Sequence, residues 1–348
     1  MIAAFQGIFV LALVLLLLAN RVRGKRERRR AFKSDAKVTE GFTQWLLDRR
    51  PLDAVVRRLR SLAPDDALEH AMEAITKRIP PERREELVGA LRREPWLAGF
   101  LSQARSRFWW RRLDAARALT VAGEPGDRDL LRLLLADRRP VIQLAATGAL
   151  VHIADARIVA EVLEALADNP PVVRRIQMHA LLSTWPLTGA ALLARLRPDA
   201  PGRQLEGWVA LAELSGDPAC VSAAAALDVH TNPEVRAAVA RVLRHYFHPS
   251  RHAKLEALLR DPEWVVRAAA ARTAGGLGDA ELVEGLRAGS RDPVWWVRFR
   301  ASLALAQLGE PGRRVLREER EGPDAFARDM ATFVSGLSDG GVLELAET

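Results

Sequence analysis

The chain repeats itself. Asp261-Pro262-Glu263-Trp264-Val265-Val266-Arg267 has a near copy downstream in Asp292-Pro293-Val294-Trp295-Trp296-Val297-Arg298 and another upstream in Asn232-Pro233-Glu234-Val235-Arg236. Arg236, Arg267 and Arg298 are each 31 residues apart, and counting back by that interval lands on Leu205, Arg174, Gln143 and Arg112. The register therefore holds over seven units. A unit of this length is one supersecondary element that cannot bury its apolar face alone, so neighbours must stack to share a core.

Each unit reads as a helical hairpin. Asp261 is placed to cap a helix, with Pro262 at the first helical position, where its missing N–H costs nothing. Helix A then covers 264–274, and Gly275, Gly276 and Gly278 break it. Asp279 opens helix B, which runs to about Ala288 before Gly289 ends it. The small residues Ala268 to Ala271 let neighbouring helices approach closely. Leu282, Val283 and Leu286 supply the helix B side of the core, as do Leu130, Leu133 and Leu134 in an earlier unit. The expected fold is an all-α, right-handed solenoid of hairpins.

The pairing of Asp292-Pro293 with Val297-Arg298, closed by Leu308-Gly309, resembles the HEAT-like repeats of phycobilisome lyases and bacterial scaffold proteins. The resemblance covers roughly residues 106–320. It implies a structural ladder in which acid and arginine positions bond within and between repeats. Those roles fall on Asp168, Asp261 and Asp292 with Arg174, Arg236, Arg267 and Arg298. Gln143 and Leu205 depart from the pattern, and the unit around Leu205, with Gly202 and Trp208, is a candidate bend. The paired His-Glu ligands of iron-dependent hydroxylases built from similar repeats are missing, since no His-Glu dipeptide occurs.

The net charge of +8 is concentrated near the start: residues 21–33 hold eight basic side chains and one acid. The repeats are then nearly neutral, which weighs against a nucleic-acid-binding solenoid. Before that run, residues 2–19 carry no charge. Eighteen residues of helix reach about 27 Å, close to the roughly 30 Å of a bilayer's hydrocarbon core. A cleaved signal peptide would place its basic residues before the apolar run. Here Arg21, Arg23, Lys25, Arg26, Arg28, Arg29 and Arg30 follow it, a pattern that marks the cytoplasmic side and grips anionic lipid headgroups. The expectation is a transmembrane anchor at 1–20, N-terminus outside, in a bacterial inner membrane, with a basic tether at 21–38 and the remainder cytoplasmic.

Between tether and repeats, 39–105 shows helical stripes at Phe42/Trp45, Val55/Leu59, Leu68/Met72, Leu87/Leu91 and Leu97/Leu101, outside the 31-residue register. It reads as a helical cap or divergent repeats. A capping segment at 321–348 places Phe326, Met330, Phe333 and Val334 at helical spacing, with 340–348 expected to fray.

The nine tryptophans offer the candidate binding residues. Trp109, Trp264 and Trp295 stand three positions before the register residue, and Trp110 and Trp296 follow directly. Successive helical side chains diverge by about 100°, so the two members of an adjacent pair cannot both enter one core. Trp109, Trp110, Trp264, Trp295 and Trp296 are therefore candidate protein contacts, because Trp is favoured at interface hot spots.

Catalytic chemistry finds no foothold. No Gly-rich loop ends in Lys-Ser or Lys-Thr, and no serine stands in a readable triad. His245, His248 and His252 cluster without a carboxylate or thiol among them, so no metal is expected. The lone Cys220 excludes a disulfide framework. No cofactor and no enzymatic role are expected. The reading is a membrane-anchored scaffold that binds a protein, such as a membrane enzyme or transport complex. The alternatives are a nucleic-acid-binding or bilin-lyase-like repeat protein.

Overall fold

Regular structure is helical throughout residues 37–76 and 79–347, which the computed structural model describes; no strand occurs among them. The chain divides into two compact units, one ending at Ile153 and the next beginning at Ala154. The division falls inside the second repeat.

In the first unit, α1 (37–46) and α2 (Leu52–Arg60) precede α3 (Pro64–Thr76), α4 (Pro81–Leu91) and α5 (Pro95–Leu101). Prolines open the last three because a helix's first N–H groups have no internal partner to lose. The stripes Trp45, Leu59, Leu87, Leu91 and Leu97 are buried as their spacing requires. Glu94, fully buried, is held by two bonds from Arg60, at 2.6 and 3.0 Å. Then follow α6 (Trp109–Ala122), α7 (Arg128–Leu135), α8 (Pro140–Thr147) and α9 (Leu150–Ile153). In α7 the core residues are Leu131 and Leu134. Leu133, expected inside, is exposed, because the helix starts at Arg128 and turns that position to solvent.

The second unit begins with α10 (Ala156–Ala165) and continues as hairpins: α11 (Pro171–Leu182) with α12 (Leu187–Leu193), α13 (Gly202–Ser215) with α14 (Pro218–Ala225), and α15 (Pro233–His245) with α16 (Arg251–Leu258). Then come α17 (Trp264–Leu277) with α18 (Val283–Ser290), α19 (Trp295–Gln307) with α20 (Glu310–Glu321), and α21 (Ala325–Ser335) with α22 (Asp339–Glu347). The first helices pack in sequence order, α13 on α15, α15 on α17, α17 on α19 and α19 on α21.

Three local expectations change. Helix α17 starts at Trp264, so Asp261 sits three residues outside it and its carboxylate closes the preceding turn, accepting from the Glu263 N–H at 2.9 Å. Helix α17 also runs through Gly275 and Gly276 to end at Gly278, whose φ of +67° is the left-handed cap that glycine adopts without strain. Gly275 serves packing instead: a Cβ there would lie 2.7 Å from the Ala304 Cα of α19. The C-terminal residues are tied down rather than frayed. In α22, Val342 and Ala346 are buried, and Arg300 donates to the Leu345 carbonyl at 3.0 Å.

The leader at 1–20 and its basic run, Arg21, Arg23, Lys25, Arg26, Arg28, Arg29 and Arg30, lie outside the described residues. Among the described residues no helix is long and apolar enough to cross a membrane. The longest, α6, α13 and α17, have 14 residues each, or about 21 Å against the roughly 30 Å required. This overturns the placement as a single-pass inner-membrane protein.

Candidate protein-interaction surfaces

The register arginines make one recurring contact. Arg236 Nε and Nη2 donate to Asp261 at 2.7 Å each, while its Nη1 donates to the His230 and Thr231 carbonyls. Arg267 does the same with Asp292, at 2.6 and 3.0 Å, and with the Asp261 and Pro262 carbonyls. Each guanidinium therefore clasps its own turn and reaches 25 residues ahead into the next. Arg112 and Asp137 form an equivalent rung in the first unit. The fork of donors on one rigid plane is what makes a single arginine able to hold two turns.

Burial by itself would raise the Asp261 carboxyl, but the Arg236 hydrogen bonds, the Glu263 N–H and the charges of Arg236 and Arg267 bring it below the usual carboxylate range. Asp137 is lowered in the same manner against its burial, by Arg112 and Arg139. The hydrogen bonds that Arg236 donates to Asp261 correspondingly raise its own pKa.

The other expected rungs differ. Arg298 clasps the Asp292 and Pro293 carbonyls, but its Nε has no hydrogen-bond partner, and its guanidinium lies 4.9 Å from the Phe326 ring. Asp168 is exposed and pairs with Arg203 at 2.9 Å. Arg174 makes no ion pair among the described residues; it lines an open groove of about 670 Å³ with Arg175, His179, Glu206, Glu213 and Tyr246. Burial raises Glu213 above the ordinary carboxylate range, opposed by Arg241, His245 and Arg244. Leu205 and Trp208 are buried, and the indole N–H of Trp208 donates to the Leu163 carbonyl at 2.9 Å.

Asp137 and Arg328 were not singled out from the sequence, although both were readable. Asp137 lies six residues before Gln143, as Asp261 lies before Arg267. Arg328 clasps the Gly322 and Pro323 carbonyls at 2.8 and 2.9 Å, one residue out of register. His230 stands in the aspartate position and accepts the Asn232 N–H through Nδ1 at 3.0 Å, as the aspartates accept theirs.

All five candidate tryptophans reach the surface. Trp109 is 37%, Trp110 49%, Trp264 43%, Trp295 48% and Trp296 50% exposed. In the second unit Trp295 stacks on the buried Phe299 at 4.9 Å, Trp296 meets Trp295 edge-on at 4.8 Å, and Phe333 lies 6.5 Å from Phe299. In the first unit Phe108 stacks on Trp110 at 4.8 Å and Trp109 meets Trp110 edge-on. The pairs form because a second ring covers part of the first, leaving the other faces open to solvent.

His252 lies 3.0 Å from Asp279 and 3.9 Å from Glu281. These carboxylates come from the following repeat, a convergence that spacing within the histidine cluster could not reveal. Hydrogen bonding to Asp279 raises the His252 pKa above its ordinary value. Cys220 is buried, and burial with the Asp217 charge pushes its thiol up to about 11.

Residues 252–333 match the family model described as HEAT repeats. The same helical-hairpin organisation extends upstream of that stretch through the second unit. No curated protein sequence matches it. Among solved structures, a Kap121p mutant is similar at 11% identity over 90% of this chain, with a TM-score of 0.47. This chain spans only 40% of that one's length. Human deoxyhypusine hydroxylase in complex with glycerol is 18% identical over 80% of this chain and 97% of its own, TM-score 0.30. An engineered protein is 16% identical over 84% and 96%, TM-score 0.34.

Proposed function

We propose that the chain is a protein-binding scaffold whose partner docks on the aromatic surface of the late repeats, with Trp295 and Trp296 as anchors. The observation that carries this reading is that both indoles stay half exposed while packed against a buried Phe299, Trp295 stacked on it and Trp296 edge-on. Such rings are already rigid, so ordering them in a complex costs little, and they offer large apolar area for a partner to cover. Repeat arrays suit this work because neighbouring hairpins present one extended surface.

The test compares tagged wild-type protein with Trp296→Ala and with Trp295→Ala/Trp296→Ala. Proteins recovered with each are identified and quantified. A partner retained by wild type and lost from both variants, at unchanged helicity, supports the reading. Undiminished recovery with the double variant removes it.

A further inference from the structure

The first unit carries a second aromatic surface of different chemistry. Arg107 and Arg111 lie over Phe108 and Arg139 over Trp109, with Arg105 and Arg138 close by in the chain, and all five are exposed. No acid occurs in the sequence between Glu94 and Asp114. None of the five guanidinium groups makes an ion pair within the described residues. Arg139 lies in the field of Asp137, but the two carboxylate oxygens of Asp137 are taken by Arg112. Elsewhere exposed arginines commonly do find acids, as Arg157 finds Glu161 and Arg260 finds Glu256.

We infer that this arginine–tryptophan patch is a docking site for an acidic peptide segment of a protein partner. The inference rests on the scaffold reading only in assuming a protein ligand; it stands on a different surface. The rings already carry cations: Arg107 lies 4.6 Å and Arg111 5.3 Å from the centre of Phe108, and Arg139 lies 5.0 Å from that of Trp109. Phe108 and Trp110 cover each other. Phe108 and one face each of Trp109 and Trp110 are thus already engaged, which leaves less ring surface for nucleic-acid bases to stack on. The guanidinium N–H donors have no carboxylate, and a carboxylate accepts them two at a time.

The repeat sets the spacing. Arg107 and Arg138 are 31 residues apart and stand before α6 and α8, which pack together. Packed helices lie about 10 Å apart, and an extended peptide rises about 3.3 Å per residue. Acids every third residue therefore match the two arginine groups.

The experiment measures fluorescence anisotropy of the full-length chain with a labelled peptide bearing glutamate at every third position and serine between. A labelled oligothymidylate of equal charge is the competing probe. Arg107→Glu/Arg111→Glu and Arg138→Gln/Arg139→Gln should each weaken peptide binding by about tenfold. The control Arg314→Glu/Arg320→Glu, on exposed α20 positions, changes the net charge as much as the glutamate pair and more than the glutamine pair, and should leave affinity within about twofold. Equal losses in the control would show a diffuse charge effect and overturn the site. Oligothymidylate binding as tightly as the peptide would overturn the acidic-peptide assignment. Circular dichroism reports folding, and the glutamine pair decides if the glutamate pair fails to fold. Because Trp295 and Trp296 are untouched, failure here leaves the late-repeat surface to its own test.

Discussion

Arg236 holds Asp261, 25 residues ahead, through two N–H···O bonds of 2.7 Å, and both side chains are largely buried. Removing the arginine strands a buried carboxylate and two carbonyls that had donors. Arg236→Met should lower stability by about 3 kcal/mol, the scale for breaking one side of a buried ion pair. Arg298 has no carboxylate to strand, only a ring and two carbonyls. Arg298→Met should cost about 1 kcal/mol. Urea midpoints of the two variants check the order; equal losses would mean that the carboxylate bond adds little.

Glycines at two helix positions should respond with opposite sign. Alanine is the better helix former by about 1 kcal/mol. At Gly99 in α5 a Cβ would meet nothing within 4 Å, so Gly99→Ala should stabilise by about 0.5 kcal/mol. At Gly275 the same Cβ would press on Ala304 of α19, backbone included. Gly275→Ala should destabilise by about 2 kcal/mol through overpacking. Thermal unfolding of both variants decides; a stabilised Gly275→Ala would show that α17 and α19 separate easily.

Periodicity made the hairpins legible because every unit must bury the same stripe, and Val266, Leu282 and Leu286 do so. Details set by a neighbour were not legible. Gly275 looked like a breaker, since sequence alone does not show that another helix passes against it. Asp261 looked like a helix cap, since its partner Arg236 lies 25 residues upstream in the chain. Of the candidate surface, adjacency alone brought Trp295 and Trp296 out to solvent. The Phe299 stack, and the acids facing His252, depend on contacts between turns that no local spacing encodes.

Cys220 should be inert in the folded protein. It is 1% exposed, its Sγ lies 3.7 Å from the Gly189 carbonyl, and its thiol is pushed up to about 11. The thiolate is the reactive species, so both access and ionisation oppose reaction. Ellman's reagent at pH 8 should read no fast thiol in native protein and one after denaturation. Stoichiometric labelling of the native chain within the mixing time would contradict the buried placement of α14.

Opposite pH dependences should separate two classes of contact. The Asp279 hydrogen bond raises His252, aided by the Asp279, Glu281 and Glu256 charges. Its contribution is full below the ordinary histidine value of about 6.5 and is lost as pH rises through the higher folded-state value. Asp137 and Asp261 are lowered. Their contribution is full above the ordinary aspartate value of about 3.9 and is lost only as pH falls through the lower folded-state values. His252 is partly exposed, so its effect is small and screened by salt. The melting temperature of wild type should therefore show a shallow loss above about pH 6.5 that His252→Gln removes. The steep loss below about pH 4 should persist in that variant and diminish in Arg236→Met, whose Asp261 has lost the bonds that lowered it. An alkaline loss unchanged in His252→Gln would assign it to some other group.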